Sequence, residues 1–482
     1  MTEFKKINEN VWEVEKEGEM NVPVRIYANQ EMINVLKEEE KTNWSSVKQI
    51  KNGATLPGIQ KYILALADVH PGYALPIGTV MAMDLNEGVI NFGGTGYDVN
   101  CGVRSIKTPL NANDLSEKDK ENLAEELFKV IPAGLGIEGE IHLSKSEVDE
   151  ILVNGSEYSI KKGFGRKEDL EFTEEFGKMK NADPETVPEK AKQRQLNQLG
   201  TLGSGNHYLE VQKVERIFDE AAAKAFGLFQ DQVIVFIHCG SRALGHQIGS
   251  DYLKILEQAS KKYKLKILDK ELVSAPINSE EGRNYWSAVN CGINNAFANR
   301  QVLTHLTRIG FSNALGVNEK EIQLIYDVAH NTCKKEKHEV NGEKKELLVH
   351  RKGATRGFGP GREEVPEQYR KVGQPVNIGG SMGTFSYILA GTEKAMKETF
   401  GSTVHGAGRT MSRHEAINSF KGEKIVSDLM KKGIIIKGHS KKGIAEEAPQ
   451  CYKDVNAVID VMHNSGISKK VAKLKPLISV KG

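Results

Sequence analysis

Four apolar runs in this chain finish on a histidine. Tyr62-Ile63-Leu64-Ala65-Leu66-Ala67 leads into Asp68-Val69-His70, and Val233-Ile234-Val235-Phe236-Ile237 runs into His238. Ile322 to Ala329 ends at His330, and Leu347-Leu348-Val349 ends at His350. Five apolar residues in succession, as at 233–237, spell a buried strand rather than a half-solvated one. One histidine at a strand end is usually a hydrogen-bonding residue. Four of them predict strand ends gathered around one cleft, where sites are commonly built.

A second stretch supplies what imidazoles would cooperate with. In Gly93-Gly94-Thr95-Gly96-Tyr97-Asp98-Val99-Asn100-Cys101-Gly102-Val103-Arg104, glycines precede an aspartate, and a cysteine follows three positions later. Glycine suits sharp turns and close approaches. A carboxylate and a thiolate on such a turn can converge on a metal, and a thiolate can bridge two ions. An isolated D-x-x-C would more often be a buried cysteine beside a turn. With Gly203-Ser204-Gly205-Asn206-His207 and the strand-end histidines, the favoured donor set is Asp98, Cys101, His207, His238 and His330. Five donors exceed one tetrahedral ion, so two ions sharing Cys101 is the economical arrangement. Thiolate and imidazole would by softness suit zinc or iron. His350 is set aside, because Arg351 and Lys352 after it suggest an anion-facing turn.

Length and composition bound the rest. The chain has 482 residues, 39% of them hydrophobic, enough for two or three domains or one large one. Lys+Arg is 66 against Asp+Glu 64, so bulk charge does not advertise a polyanion partner. The distribution is less even: 421–482 holds 13 Lys and no Arg against 6 acids, a basic lobe able to bind a polyanion locally. Five scattered cysteines with no C-x-x-C point to a reducing compartment. The first residues carry no apolar signal core, and no run approaches the roughly 20 apolar residues of a membrane span. A soluble cytoplasmic protein is expected.

Along the chain, residues 1–60 read as a small N-terminal unit packed on the main body. It has strands at Val11–Val14 and Val22–Tyr27, a helix over 30–40 and no evident chemistry. The body spans 61–482. Helices are expected at 117–130, 188–199, 214–225, 251–261 and 284–307. A polar, acidic, poorly periodic segment over about 138–190 reads as an insertion or flap. The fold class is α+β: one large domain with mixed sheets and a metal site at strand ends.

The last third is rich in glycine. Val376 to Thr384 could wrap a phosphate or a base. Val404-His405-Gly406-Ala407-Gly408-Arg409 presents a histidine among glycines. Histidine is a competent covalent nucleophile, flanking backbone N–H groups can reach an anion, and Arg409 and Arg413 can pair phosphate oxygens. No G-x-x-x-x-G-K-[ST] is present, so a nucleotide would not sit on a P-loop. Val471, Leu474, Leu477, Ile478 and Val480 predict that the last dozen residues dock.

Taken together, Asp98 to Arg104, Gly203 to His207, His238-Cys239-Gly240-Ser241-Arg242, Ala329-His330-Asn331 and His405 to Arg409 resemble the RtcB family of RNA-splicing ligases from about Asp68 onward. The resemblance implies an RtcB-like catalytic domain that joins an RNA 3′-phosphate or 2′,3′-cyclic phosphate end to a 5′-hydroxyl end. GTP and two manganese ions would be used, in RNA splicing or repair. It implies that Asp98, Cys101, His207, His238 and His330 hold the metals and that His405 carries a covalent guanylate. Asn206, Glu210, Ser386, Gly406, Ala407, Gly408, Tyr452 and Lys481 would line the GTP pocket. Arg242, Lys352 and Arg413 would hold RNA, and Asp68 would deprotonate or position the attacking hydroxyl. An archease-like activating partner is a further implication. The alternative is a dinuclear phosphoesterase acting on RNA ends, which would need neither His405, Lys481 nor GTP. A non-catalytic RNA binder is less favoured, since no aromatic-rich RNA-reading motif is evident.

Overall fold

A computed structural model describes residues 2–482. Two large sheets organise it. The first has eight strands. Seven run in the spatial order Gln323–Ala329, Gly102–Asn111, Gln232–Cys239, Tyr208–Ile217, Ser468–Lys481, Ser386–Gly391 and Pro375–Ile378; the eighth, Ile435–Gly438, pairs parallel with the end of Ser468–Lys481. The second has seven, in the order Lys5–Asn8, Val11–Val14, Val24–Tyr27, Ile63–His70, Ile77–Asp84, Glu343–Lys352 and Asn331–Val340. The N-terminal strands therefore continue the sheet of the main body, through the parallel pairing of Val24–Tyr27 with Ile63–His70.

The chain passes from one sheet to the other at His330, the single residue between Gln323–Ala329 and Asn331–Val340. The crossing residue is tied down through both its backbone N–H and its carbonyl. His330 N donates to Cys101 O (2.8 Å), and Ala354 N donates to His330 O (3.1 Å). The apolar runs at 63–70 and 232–239 are buried along their whole length, as uninterrupted apolar character requires.

Helix Glu280–Leu315, 36 residues long and closed by left-handed Gly316, is buried over most of its length. Its polar side chains serve as internal braces. Arg300 donates to Asn100 O and Cys239 O (both 2.8 Å), clamping the loop before Cys101 to the end of the His238 strand. Arg300 and Arg104 share Asp327, and all three are fully buried. A buried charge is tolerable when paired and hydrogen-bonded, and these are.

Some expectations need revision. Residues 214–217 belong to strand Tyr208–Ile217, and the helix covers Glu220–Phe226 only. The segment expected as a flap is folded, with helices Lys145–Asn154, Ser156–Lys161 and Glu189–Gln195. Its acids are partly counter-charges for distant cations. Asp169 accepts from Arg308 (2.7 and 2.8 Å), and Glu174 pairs Lys334 (2.9 Å). Arg351 lies in strand Glu343–Lys352 rather than on an anion-facing turn, and its guanidinium forks onto buried Glu336 (2.6 and 2.8 Å). The chain end docks as expected, as strand Ser468–Lys481 inside the larger sheet. Among the described residues, all five cysteines are free and buried, and no helix is long and apolar enough to cross a membrane.

Candidate active site

Adjacent antiparallel strands lie about 4.8 Å apart, so residues at their common end are neighbours. Gly102 pairs with both Ala329 and Cys239, and Tyr208 pairs with His238. Cys101, His207, His238 and His330 accordingly meet at one end of the larger sheet. Because the sheet is antiparallel, that end holds two strand starts and two strand finishes. Two of the four strand-end histidines join the cluster. His70 instead sets Nδ1 against Asp68 O (3.0 Å), and His350 Nε2 accepts from Asn91 N (3.3 Å).

The donors form two triads that share Cys101: Cys101, His238 and His330, and Asp98, Cys101 and His207, with donor atoms inside each triad within 4.8 Å of one another. Cys101 Sγ lies 3.2 Å from His238 Nε2 and 3.4 Å from His207 Nε2. His238 Nε2 is 3.2 Å from His330 Nε2, and His207 Nε2 is 2.9 Å from Asp98 Oδ2. Nδ1 of His207 faces Leu202 O (3.1 Å), and Nδ1 of His238 faces Asn206 O (3.0 Å). Donation from Nδ1 leaves Nε2 as a lone pair, the usual support for a metal-ligating imidazole. Soft and hard lone pairs crowded around a common centre repel unless a cation lies between them, so this donor set fits metal. Gly240 is needed beside it, because a Cβ there would stand 2.2 Å from Asp98 Oδ1.

The protein environment tunes these groups in opposite directions. Burial raises Asp98, but the charge and hydrogen bond of adjacent His207, the hydrogen bond of Cys101 and the charge of Arg242 together outweigh it and hold the carboxyl at about 2. Burial, reinforced by Asp98, pushes the Cys101 thiol up to about 12. Burial and the neighbouring imidazoles keep His238 and His330 neutral, well below the ordinary value.

His405 stands next to this cluster, its ring centroid 4.9 Å from that of His330. It follows the short strand Ser402–Val404. Buried Asp68 reaches it from strand Ile63–His70. Asp68 Oδ2 accepts from His405 Nδ1 (2.6 Å), His405 N (2.9 Å) and Gly406 N (3.4 Å). Asp68 Oδ2 is thus occupied by His405 and Gly406, and Nε2 is the His405 ring nitrogen left free.

One cavity of about 1230 Å³ holds the candidate metal-ligand cluster, His405 and every other candidate site residue except Asp68 and Ser386. Ser386 lies behind the wall, receiving Gly380 N (3.2 Å) and Gln212 Nε2 (3.1 Å). Lys481 Nζ donates to Gly205 O (3.2 Å). Burial pushes Glu210 up to about 8. Tyr452 donates its hydroxyl to Glu447, and Arg409 Nη1 bonds both Glu447 (3.2 Å) and the Tyr452 oxygen (3.1 Å). Arg413 Nε pairs Glu446 (3.2 Å), with its side chain 55% exposed. Arg242 adopts φ +56° and lies against Gly203, where a Cβ would stand 2.1 Å from the guanidinium. Lys352 is buried, pushed down to about 7 by that burial, and its Nζ bonds Tyr73 O and Leu75 O (2.9 Å).

Neither Glu447 nor Arg300 is marked by a local sequence signal, and Asn331 appears there only within the Ala329-His330-Asn331 motif, with no role of its own. Asn331 donates to Asp98 O (3.1 Å) and accepts from Gly353 N (2.8 Å), bracing the ligand loop.

Two mixed sheets with a Cys/His/Asp cluster and a carboxylate-braced histidine in one cavity define an α+β enzyme with a candidate metal centre. The family model described as tRNA-splicing ligase RtcB matches residues 49–482. A tRNA-splicing ligase RtcB of Methanococcus maripaludis is 52% identical over 465 residues, 96% of this chain and 95% of its own. One of Thermococcus kodakarensis is 47% identical over 485 residues, 100% and 99% of the two chains. An RNA-splicing ligase RtcB homolog 1 of Entamoeba dispar is 46% identical over 473 residues, 96% and 88%. This chain belongs to the RtcB family of tRNA-splicing ligases.

Proposed function

We propose that the protein joins RNA ends bearing a 3′-phosphate, or a 2′,3′-cyclic phosphate opened to it, to 5′-hydroxyl ends, with GTP as co-substrate. The observation that carries this is the Asp68–His405 pair. Hydrogen bonding at Nδ1 directs the Nε2 lone pair outward as a nucleophile and stabilises the charge the ring gains on reaction. A metal phosphoesterase would use a histidine held this way only to move protons, so a covalent adduct on His405 separates the two readings.

Attack of Nε2 on the α-phosphorus of GTP forms an N–P bond and releases pyrophosphate. The RNA 3′-phosphate then takes the guanylate from His405, re-forming the free imidazole. The 5′-hydroxyl attacks the activated RNA phosphorus, its proton passes to a base, and GMP leaves. Asp98, Cys101, His207, His238 and His330 would hold two manganese ions, whose charge would neutralise the crowded phosphates. Asn206, Glu210, Tyr452, Lys481 and the 406–408 glycine turn would hold the guanylate, with Ser386 supporting them from behind. Arg242 and Arg413 would face RNA phosphates, and Lys352 would support that wall from below through the Tyr73 and Leu75 carbonyls. The cytoplasm and an archease-like activator are part of the same proposal. The assay is end-joining of two RNA fragments with manganese, with and without GTP. Joined product only with GTP is expected; phosphate release from the ends without GTP would favour the phosphoesterase.

A further inference from the structure

The same cavity has a wall that the ligase chemistry does not use. It is aromatic and comes partly from the first 60 residues. Trp44 and Tyr73 are 55% and 58% exposed, unusual for side chains of that size. Their rings meet edge-on at 6.2 Å. Tyr73 meets Tyr97 at 6.2 Å, and Tyr97 stacks on His246 at 5.2 Å. All four line the cavity that holds the metal cluster, and Tyr97 directly precedes Asp98. The ladder therefore leads from solvent to the donor set.

The backbone beneath the exposed rings is fixed. Lys352 Nζ holds Tyr73 O and Leu75 O from below. The Gln49 side chain exchanges two hydrogen bonds with the backbone of Gly72. Ala74, beside Tyr73, sits at φ +57°, a conformation non-glycine residues avoid and which persists only when the surroundings enforce it. Trp44 is pinned through Thr42, whose hydroxyl bonds both its N and its O. Rings left in water on an enforced backbone are presented to something.

We propose that Trp44, Tyr73, Tyr97 and His246 form a stacking shelf for an unpaired base next to the reacting RNA end. This rests on the RNA-ligase function proposed above. Unpaired bases stack on aromatic side chains irrespective of sequence, which suits an enzyme that must accept any terminal nucleotide. Arg242 lies one helical turn before His246 and lines the same cavity, so a base on the shelf would keep its backbone phosphate within reach of a cation.

Binding, not joining, tests the shelf. Short single-stranded RNAs with either a 5′-hydroxyl or a 3′-phosphate end are prepared with a normal or an abasic nucleotide next to that end. Affinities are measured by fluorescence anisotropy at fixed salt. The wild-type chain is expected to bind the base-bearing form of one end about tenfold more tightly than the abasic form, and the end that shows the difference is the one the shelf serves. Trp44→Ala with Tyr73→Ala should abolish that difference, while Trp44→Phe with Tyr73→Phe should retain most of it. The comparison is internal to each variant, so partial misfolding does not imitate the result. Equal affinity for normal and abasic RNA at both ends, or equal weakening of both forms in the alanine variant, overturns the shelf and favours a protein partner on these rings. Loss of GTP-dependent joining in the wild type would overturn the ligase function without altering this comparison.

Discussion

His405 is braced by one carboxylate oxygen that serves two backbone N–H groups and the ring. That economy makes Asp68 a positioning residue whose loss would disturb the orientation and the charge of the proposed nucleophile together. Glu210 illustrates the opposite use of burial. Its carboxyl, ordinarily near 4.5, is held at about 8, so the folded protein keeps a proton that the unfolded chain releases between those values. Its contribution to stability is complete below the lower value and is lost as pH rises through the upper one. Glu210→Gln removes the ionisation. The melting temperature of this variant, relative to wild type, is therefore expected to rise between roughly pH 4.5 and 8 and to level off above. A pH-independent difference would show that Glu210 ionises normally.

At the scale of elements, apolar runs announced the strands at 63–70, 232–239 and 323–329, because burial on both faces leaves an unbroken hydrophobic signature. Residues 214–217 were misread as helix because Val214-Glu215-Arg216-Ile217 fits either period over so short a span; pairing with Ser468–Lys481 decides for strand. The folded nature of 138–195 was hidden because its acids find partners far along the chain, as Asp169 finds Arg308 139 residues away. The same blindness hid Arg351, whose partner Glu336 lies on the neighbouring strand. Arg351→Ala would strand the buried Glu336 charge and is expected to cost about 3–5 kcal/mol in denaturant unfolding. A loss below about 1 kcal/mol, typical of exposed pairs, would contradict the buried ion pair.

Across the whole molecule, the candidate site was legible to the extent that its chemistry sits in short motifs. Asp98, Cys101, His207, His238, His330 and His405 were all named from local patterns, and they converge in one cavity. What the motifs could not convey is that residues 1–60 supply a wall of that cavity through Met32, Glu39 and Trp44, since these carry no recognisable signature. Nor could they separate exposed cations from buried ones. Arg413 and half-buried Arg242 are the arginines proposed to meet RNA. Arg242→Ala and Arg413→Ala should each reduce the steepness of the log-affinity against log-salt plot by about 0.7 for single-stranded RNA. An unchanged slope in both would move the RNA track elsewhere.

The central claim is that His405, oriented by Asp68, is the guanylylated nucleophile. The direct measurement is peptide mass spectrometry after incubation with GTP and manganese. One GMP is expected on the peptide containing His405, none in His405→Ala, and labelling at least about a hundredfold slower in Asp68→Asn. No adduct in the wild type, or an adduct on Lys481 with His405 unmodified, would contradict it.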